Sequence, residues 1–310
     1  MRRGAARAHA RTLASPTRHP RPLTCTLPDR CAAVFLVAAS FPAMFRNQYD
    51  TDCITWSPAG RIHQIEYAME AVKQGSAAIG LRSNAFALVA TLKRSSSELS
   101  SYQKKIFKID DNMGIGIAGL VADARVIAKY MRTECINHRY VYDAPMQVGR
   151  LVVQVADKSQ IGTQQVGRRP YGVGLLVVGS DGTGPHLFET QPSGQYFEYK
   201  AMAIGARSQA GRTYLEKHFE EFPELGLDDL IKHALLALRE TLSTGQELTA
   251  ANVAVGYCGL QGGFTILEDE TIAPYVDAVK GTPGGPPMEE AAPEEAPPAE
   301  APAEGAMDTE

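Results

Sequence analysis

The sequence lacks several features that would place it in a common class of protein at once. It has no apolar run long enough to span a membrane. Its formal net charge is −4 over 310 residues, so it lacks the basic excess of proteins whose main partner is nucleic acid. Its five cysteines include no C-x-x-C pair, which excludes the usual zinc and redox motifs and fits reduced thiols. It has no Walker-type loop, serine-hydrolase elbow or zinc-binding histidine pair, so we expect no metal and no cofactor.

Composition divides the chain into three parts. Residues 1–43 contain seven arginines and one acidic residue, followed by an apolar run. Three interpretations are open for this part: a leader outside a mature protein that starts at Met44, a transit or signal peptide, or a functional basic arm. Residues 276–310 are rich in Pro, Ala and Glu, which predicts a disordered acidic tail. We therefore expect the folded domain to span residues 44–275.

The stretch that leads into the folded core has a clear internal order. A polar arm (residues 44–52) is followed by a turn at Ser57-Pro58-Ala59-Gly60. Apolar residues then recur at helical spacing, and Gly75 offers a stop; these residues are Ile62, Ile65, Met69 and Val72. A helix with one apolar face must bury that face against another part of the structure.

From Ser76 onward the pattern changes to short apolar strands joined by tight turns. The order along the chain is strands, two helices, strands, two helices and strands. Tight turns between strands favour antiparallel pairing, and helices that arrive in pairs can each cover one face of a two-sheet sandwich. The predicted fold class is α+β: a four-layer α-β-β-α sandwich, with the first helix lying across one end.

The stretch described above closely resembles the N-terminal signature of alpha subunits of the 20S proteasome. The matching runs are Tyr49-Asp50, Ser57-Pro58, Gly60-Arg61-Ile62, Gln64-Ile65-Glu66-Tyr67-Ala68, Glu70-Ala71-Val72-Lys73 and Gly75. Four further runs resemble one particular kind among the seven kinds of alpha subunit: residues 44–50, 101–105, 169–176 and 203–209. The resemblance covers roughly residues 44–275 and implies the NTN-hydrolase-like fold of proteasome subunits, in agreement with the predicted sandwich.

The resemblance also implies a chain without catalytic residues. The family's active beta subunits use an N-terminal threonine, whose own free amine can serve as base, together with an acid and a lysine. Here Ser76 stands at the threonine position, behind a helix and without a free amine, and Leu92 stands at the acid position. Lys105 matches the lysine. We therefore expect a non-catalytic subunit of a threonine-type endopeptidase complex.

The resemblance implies functional roles for two groups of residues. Tyr49, Asp50, Pro58 and Tyr67 match a cluster that holds N-terminal arms in the open gate of the alpha ring, although Thr51 stands where the family often has arginine. Lys105 matches a lysine that pairs with the C-terminal carboxylate of activator tails. A solvated arm and an ordinary surface lysine are the alternatives.

The resemblance implies partners and a location as well. The partners are six other alpha subunits, the underlying beta ring, an ATPase regulatory particle or other activators, and unfolded substrates in ubiquitin-dependent and -independent degradation. No nucleic acid and no membrane are expected as partners. The expected location is the cytoplasm and the nucleus.

Two other functions remain as alternatives. The first is an independent NTN-type amidohydrolase with Ser76 as its processed nucleophile. The second is a nucleotide-dependent enzyme, because Gly114 to Gly119 match the pattern G-x-G-x-x-G ahead of a helix. That fingerprint requires a strand ending at its first glycine, whereas here an apolar strand runs through the glycines themselves, so a chance match is favoured.

Overall fold

The structure is a computed structural model that describes residues 49–94, 99–243, 247–260 and 262–280. The predicted leader (residues 1–43) and most of the predicted acidic tail (residues 281–310) lie outside the described residues. In the part that is described, no helix is long and apolar enough to cross a membrane.

Two five-stranded antiparallel sheets form the centre of the domain. The first sheet has the order β10-β9-β2-β1-β8 and the second the order β3-β4-β5-β6-β7. The strands are β1 (Ala78–Arg82), β2 (Phe86–Leu92), β3 (Ile106–Asp110), β4 (Met113–Gly119), β5 (Val173–Asp181), β6 (Gly184–Thr190), β7 (Tyr196–Glu198), β8 (Ala201–Ile204), β9 (Val253–Gly259) and β10 (Thr265–Glu268). Antiparallel pairing confirms what the tight turns predicted.

Among the described helices, five cover the outer faces of the two sheets and the first lies over the ends of two strands of the second sheet. The helices are α1 (His63–Lys73), α2 (Val121–Tyr142), α3 (Val148–Gln164), α4 (Ser208–His218), α5 (Leu227–Glu240) and α6 (Ala273–Lys280). One apolar cluster joins α4, α5 and α6 to the first sheet, and a second joins α2 and α3 to the second sheet. A third cluster fills the space between the sheets. These three clusters make the four-layer α-β-β-α sandwich that the sequence predicts.

The glycine run in β4 serves close packing between the two sheets. A Cβ added at Gly114 would lie 2.1 Å from the ring of Phe264, and one added at Gly116 would lie 2.4 Å from Val89. Both glycines are inside a strand that pairs with β3 and β5, not at a strand-to-helix turn. These glycines therefore do not form a phosphate-binding turn, and the structure gives no support to the alternative of a nucleotide-dependent enzyme.

The structure differs from the sequence prediction in two details. The folded domain does not stop at residue 275, because α6 continues to Lys280 and buries Val276 and Val279 in the first apolar cluster. The short edge strand β8 was not predicted. Aspartate near a helix start commonly caps it, but Asp123 lies inside the first turn of α2, whose N-cap is Leu120. The Asp123 carboxylate is instead bonded to residues that precede β5.

Candidate functional site: the N-terminal arm and a buried lysine

The turn that precedes α1 forms where the sequence predicts it. The Gly60 N–H donates to the Ser57 carbonyl at 2.9 Å, and Gly60 has φ +72°, a conformation that glycine adopts without strain. The Ser57 N–H donates to the carbonyl of Arg61 at 2.9 Å, and the Arg61 N–H donates to Ser57 Oγ at 3.0 Å. Pro58 occupies the second position of this turn, where its fixed φ is favourable.

Helix α1 lies over the ends of β4 and β5. A Cβ at Gly174 would approach Val72 to 2.9 Å, and a Cβ at Gly75 would approach the Gly119 nitrogen to 2.1 Å, so small residues are needed where the helix meets the sheet. The apolar face of the helix is only half-buried within this chain, since Ala68 is its one buried residue. Apolar area therefore remains on α1 for another chain to cover.

The structure brings part of the predicted gate cluster together. The Tyr67 hydroxyl donates to Asp50 Oδ2 at 3.4 Å, and the Gln64 side-chain amide donates to the Asp50 carbonyl. Tyr49 precedes Asp50 in the same bend and is half-buried, whereas Tyr67 is exposed. Pro58 contributes through the turn and not through a contact with Asp50. The described part of the arm, residues 49–52, thus rests on α1, with Thr51 and Asp52 exposed.

The residue at the position of the catalytic nucleophile is buried and lies inside the chain. Ser76 is buried between α1 and β1, and its nitrogen is part of the chain that continues from Gly75. The carbonyl of Gly75 accepts a hydrogen bond from the Ala206 N–H at 2.7 Å, which ties this junction to β8 and α4. Leu92 packs against the first apolar cluster. This chain holds neither a free α-amine nor a carboxylate at these positions, so the amidohydrolase alternative has no support.

Lys105 lies immediately before β3 and is 4% exposed. Its carbonyl accepts a hydrogen bond from the Ile117 N–H at 3.1 Å, which extends the pairing of β3 with β4. Among the described residues, no carboxylate lies within 4.0 Å of its ammonium group. Burial lowers the pKa of Lys105, and the nearby positive charge of Arg94 lowers it further. The side chain is therefore a buried cation without a counter-ion among the described residues.

Two neighbouring lysines do have partners. Lys104 is 72% exposed at its side chain and lies 3.6 Å from Glu268. Lys93 is buried, and its ammonium lies 3.3 Å from Asp269. The described residues contain no group of three or more His, Cys, Asp or Glu side chains that could hold a metal ion. Lys105 differs from both because no carboxylate among the described residues pairs with its charge, and such a cation suits an anionic ligand.

Sequence comparison assigns both the N-terminal arm and the sandwich to one protein family. A family model described as "Proteasome subunit" matches residues 72–258, more than half of the chain. A second model, the N-terminal signature of A-type proteasome subunits, matches residues 49–71, which are the arm, the turn and most of α1. The chain belongs to the proteasome subunit family. The signature match and the closed nucleophile position make it a non-catalytic proteasome subunit of the alpha type.

Named relatives support the same assignment of this proteasome subunit. It is 57% identical over 238 residues to proteasome subunit alpha type-1 of Dictyostelium discoideum, covering 76% of this chain and 96% of that protein. It is 51% identical over 234 residues to the probable proteasome subunit alpha type-6 of Schizosaccharomyces pombe, covering 76% and 86%. It is 45% identical over 270 residues to proteasome subunit alpha type-1 of Drosophila melanogaster, covering 86% and 97%.

These relatives confirm the resemblance that the sequence carries. The runs at residues 44–50, 101–105, 169–176 and 203–209 predict the alpha type-1 kind, and relatives of that name match over most of the chain. The chain is thus an alpha-ring subunit of the 20S proteasome, a complex that degrades proteins. As a subunit, it assembles with other proteasome subunits in the 20S core.

Sequence reasoning missed two contacts beside the arm. The buried Cys53 thiol donates to the Arg168 carbonyl at 3.5 Å, and the Arg169 guanidinium binds the Asp123 carboxylate through two hydrogen bonds of 2.7 and 2.9 Å. Cys53 and Arg168 are 115 residues apart in the chain, and Asp123 and Arg169 are 46 residues apart. No local pattern predicts such pairs, although Arg169 falls in a run that the resemblance singled out.

Proposed function

We propose that this subunit helps to close the entrance of the alpha ring and docks activators there. The single observation that carries the gating part is the arm at residues 49–56. It bears the alpha-type signature, lies at the surface on α1, and is joined to the rest of the described residues by few hydrogen bonds. A segment held by few contacts can exchange between two positions at low cost in free energy.

The roles of Tyr49, Asp50, Pro58 and Tyr67 follow from this proposal. The aromatic hydroxyls and the carboxylate would bond to neighbouring arms when the gate is open, while Pro58 fixes the turn from which the arm departs. Support comes from the Tyr67–Asp50 contact of 3.4 Å and from the turn at Ser57 to Gly60. Thr51 would make this arm a weaker member of the cluster than arms with arginine there.

The role of Lys105 is to bind the C-terminal carboxylate of an activator tail. Its burial and the lack of a counter-ion among the described residues support this role, because an incoming carboxylate would relieve an unfavourable buried charge. The exposed Lys104 already pairs with Glu268 and is less suited to it. The activators would include an ATPase regulatory particle.

The subunit would also have defined partners, substrates and a location in the cell. The subunit would share its ring with six other alpha subunits above a beta ring whose threonine nucleophiles cleave peptides. Unfolded proteins, ubiquitin-tagged or not, would pass its arm on their way to that chamber. The complex would act in the cytoplasm and the nucleus.

The test is a reconstituted particle whose copy of this chain lacks most of the arm, residues 44–50. A chain without residues 44–50 should assemble normally, and the particle should hydrolyse small peptides faster without an activator, because the entrance no longer closes fully. Hydrolysis at saturating activator should be unchanged, which serves as the control for assembly. An unchanged basal rate in a fully assembled particle would contradict the gating role.

A further inference from the structure

Few hydrogen bonds connect residues 49–56 with the rest of the described chain. Two come from α1, where Gln64 donates to the Asp50 carbonyl and Tyr67 to its carboxylate. The third is the bond of 3.5 Å from the Cys53 thiol to the Arg168 carbonyl. Cys53 is 6% exposed, so the thiol is the one deeply placed group of this segment. A thiol is a weak donor, and its bond depends on where the acceptor lies.

The acceptor belongs to the segment that links α3 to β5, and Asp123 holds that segment in place. Its carboxylate accepts two hydrogen bonds from the Arg169 guanidinium and a third, of 3.1 Å, from the Gly172 N–H. The Leu120 N–H donates in turn to the Gly172 carbonyl at 2.9 Å. A bidentate pair between arginine and carboxylate fixes both distance and orientation. The start of α2 therefore helps to hold the segment that carries the Arg168 carbonyl, together with the hydrogen bond that the Arg168 N–H donates to the Gln165 carbonyl at 3.3 Å.

We propose that Asp123 and Arg169 are positioning residues for the N-terminal arm. The pair fixes the Arg168 carbonyl, which holds Cys53, and Cys53 lies three residues after Asp50. Loss of the pair frees the linking segment, so Cys53 loses its acceptor and the arm departs from its resting position more often. This inference rests on the proposed gating function, because it concerns the arm that would act as the gate.

The thiol gives a direct measure of arm position. Burial raises the pKa of the Cys53 thiol, and the nearby carboxylate of Asp52 adds to that rise, so the thiol reacts slowly while it is in place. Trypsin cleavage at Arg46 and Arg61 releases a peptide with Cys53 as its single cysteine. Its alkylation by N-ethylmaleimide can therefore be followed by mass spectrometry in the assembled particle. Cys258, fully buried in β9, is the internal reference.

The variants are Asp123→Asn, Arg169→Gln and the double substitution. The matched control is Asp110→Asn, because Asp110 has the same side-chain exposure of 11% and pairs with Arg139 at 2.7 Å near the other end of α2. Each variant is built into a reconstituted 20S particle. Two quantities are measured: the alkylation rate of Cys53, and the ratio of basal to activator-saturated peptide hydrolysis. A general loss of folding or assembly would lower both hydrolysis rates and leave their ratio unchanged.

We expect each single variant to raise the alkylation rate of Cys53 about tenfold, which corresponds to about 1.4 kcal/mol of lost coupling. The double variant should add little, because both changes break one pair. Asp110→Asn should leave Cys53 unchanged. The hydrolysis ratio should rise with the alkylation rate. An unchanged alkylation rate would overturn the positioning role, whereas faster alkylation with an unchanged ratio would keep it and refute the gating function.

Discussion

Replacing Lys105 with alanine tests the activator pocket most sharply. The ammonium is 4% exposed, and no described carboxylate pairs with it, so a tail carboxylate would be its first anionic partner in this region. A hydrogen bond to a charged group contributes about 1.5–3 kcal/mol, which corresponds to about 10- to 150-fold in affinity. Lys105→Ala should weaken binding of an activator tail to this subunit by that factor. Lys104→Ala is the control, because that neighbouring lysine is exposed and paired with Glu268.

The assay must separate this subunit from the other pockets of the ring. A photoreactive peptide that ends in a free carboxylate is titrated against the particle, and its crosslinking to this chain is quantified by mass spectrometry. The same peptide with a C-terminal amide lacks the charge. In the native particle and in Lys104→Ala, the free acid should crosslink at much lower concentration than the amide; in Lys105→Ala, the two should be equal. A preference for the free acid that survives Lys105→Ala would refute the reasoning.

The same residue has a consequence for stability. Because burial lowers the pKa of Lys105, the folded chain binds this proton less firmly than the unfolded chain. The charged form therefore lowers the free energy of unfolding at neutral pH, and this cost decreases as pH rises through the lowered pKa towards the ordinary value of about 10.4. Lys105→Met should raise the thermal midpoint of the subunit at pH 7, and the gain should shrink near pH 10. A lower midpoint at pH 7 would show that the ammonium has a stabilising partner.

Three further predictions follow from the packing and the ion pairs. Ser76→Ala should leave peptide hydrolysis by the particle unchanged, because the residue is buried and lacks a free amine; a loss of activity in a normally assembled particle would contradict this. Val276→Ala should lower the free energy of unfolding by about 2 kcal/mol in denaturant titration, because α6 packs in the core. A change near zero would mean that the folded domain ends at residue 275, as the sequence predicts. The hydrogen bonds from Arg169 lower the pKa of Asp123, so the stability they give is fully present above about pH 4 and is lost as pH falls through the lowered pKa; the destabilisation by Asp123→Asn should be largest at pH 7 and should shrink as pH falls below about 4.

Much of the fold follows from local patterns in the sequence. The turn at Ser57 to Gly60 and helix α1 are predicted because proline, glycine and apolar spacing act over a few residues. Strand β5 is buried along nearly its whole length, as its continuous apolar run predicts for a strand covered on both faces. The pairing of helices with sheets follows from the order of the elements, since each apolar face needs a partner layer.

The missed features depend on contacts between distant residues. Strand β8 has four residues and owes its conformation to pairing with β1, which no turn signal announces. Helix α6 has eight residues and two buried valines beside a segment rich in proline and acidic residues, so composition favours a tail. The burial of Lys105 and the bond from Cys53 to Arg168 arise from packing across the fold. Sequence alone could therefore name Lys105 but not show that its charge is unpaired in the described chain.

The two buried lysines of this region show why the charge of Lys105 points to binding. Lys93 is as deeply buried, yet its ammonium lies 3.3 Å from Asp269, so its charge is compensated within the chain. Lys105 lacks such a carboxylate among the described residues and has the cation Arg94 nearby. Folding gains nothing from a buried cation in that setting, because an apolar side chain of similar size would avoid the desolvation cost. A buried cation that no described carboxylate pairs with is typical of a site whose partner arrives from another molecule, which supports the proposed binding of a carboxylate by Lys105.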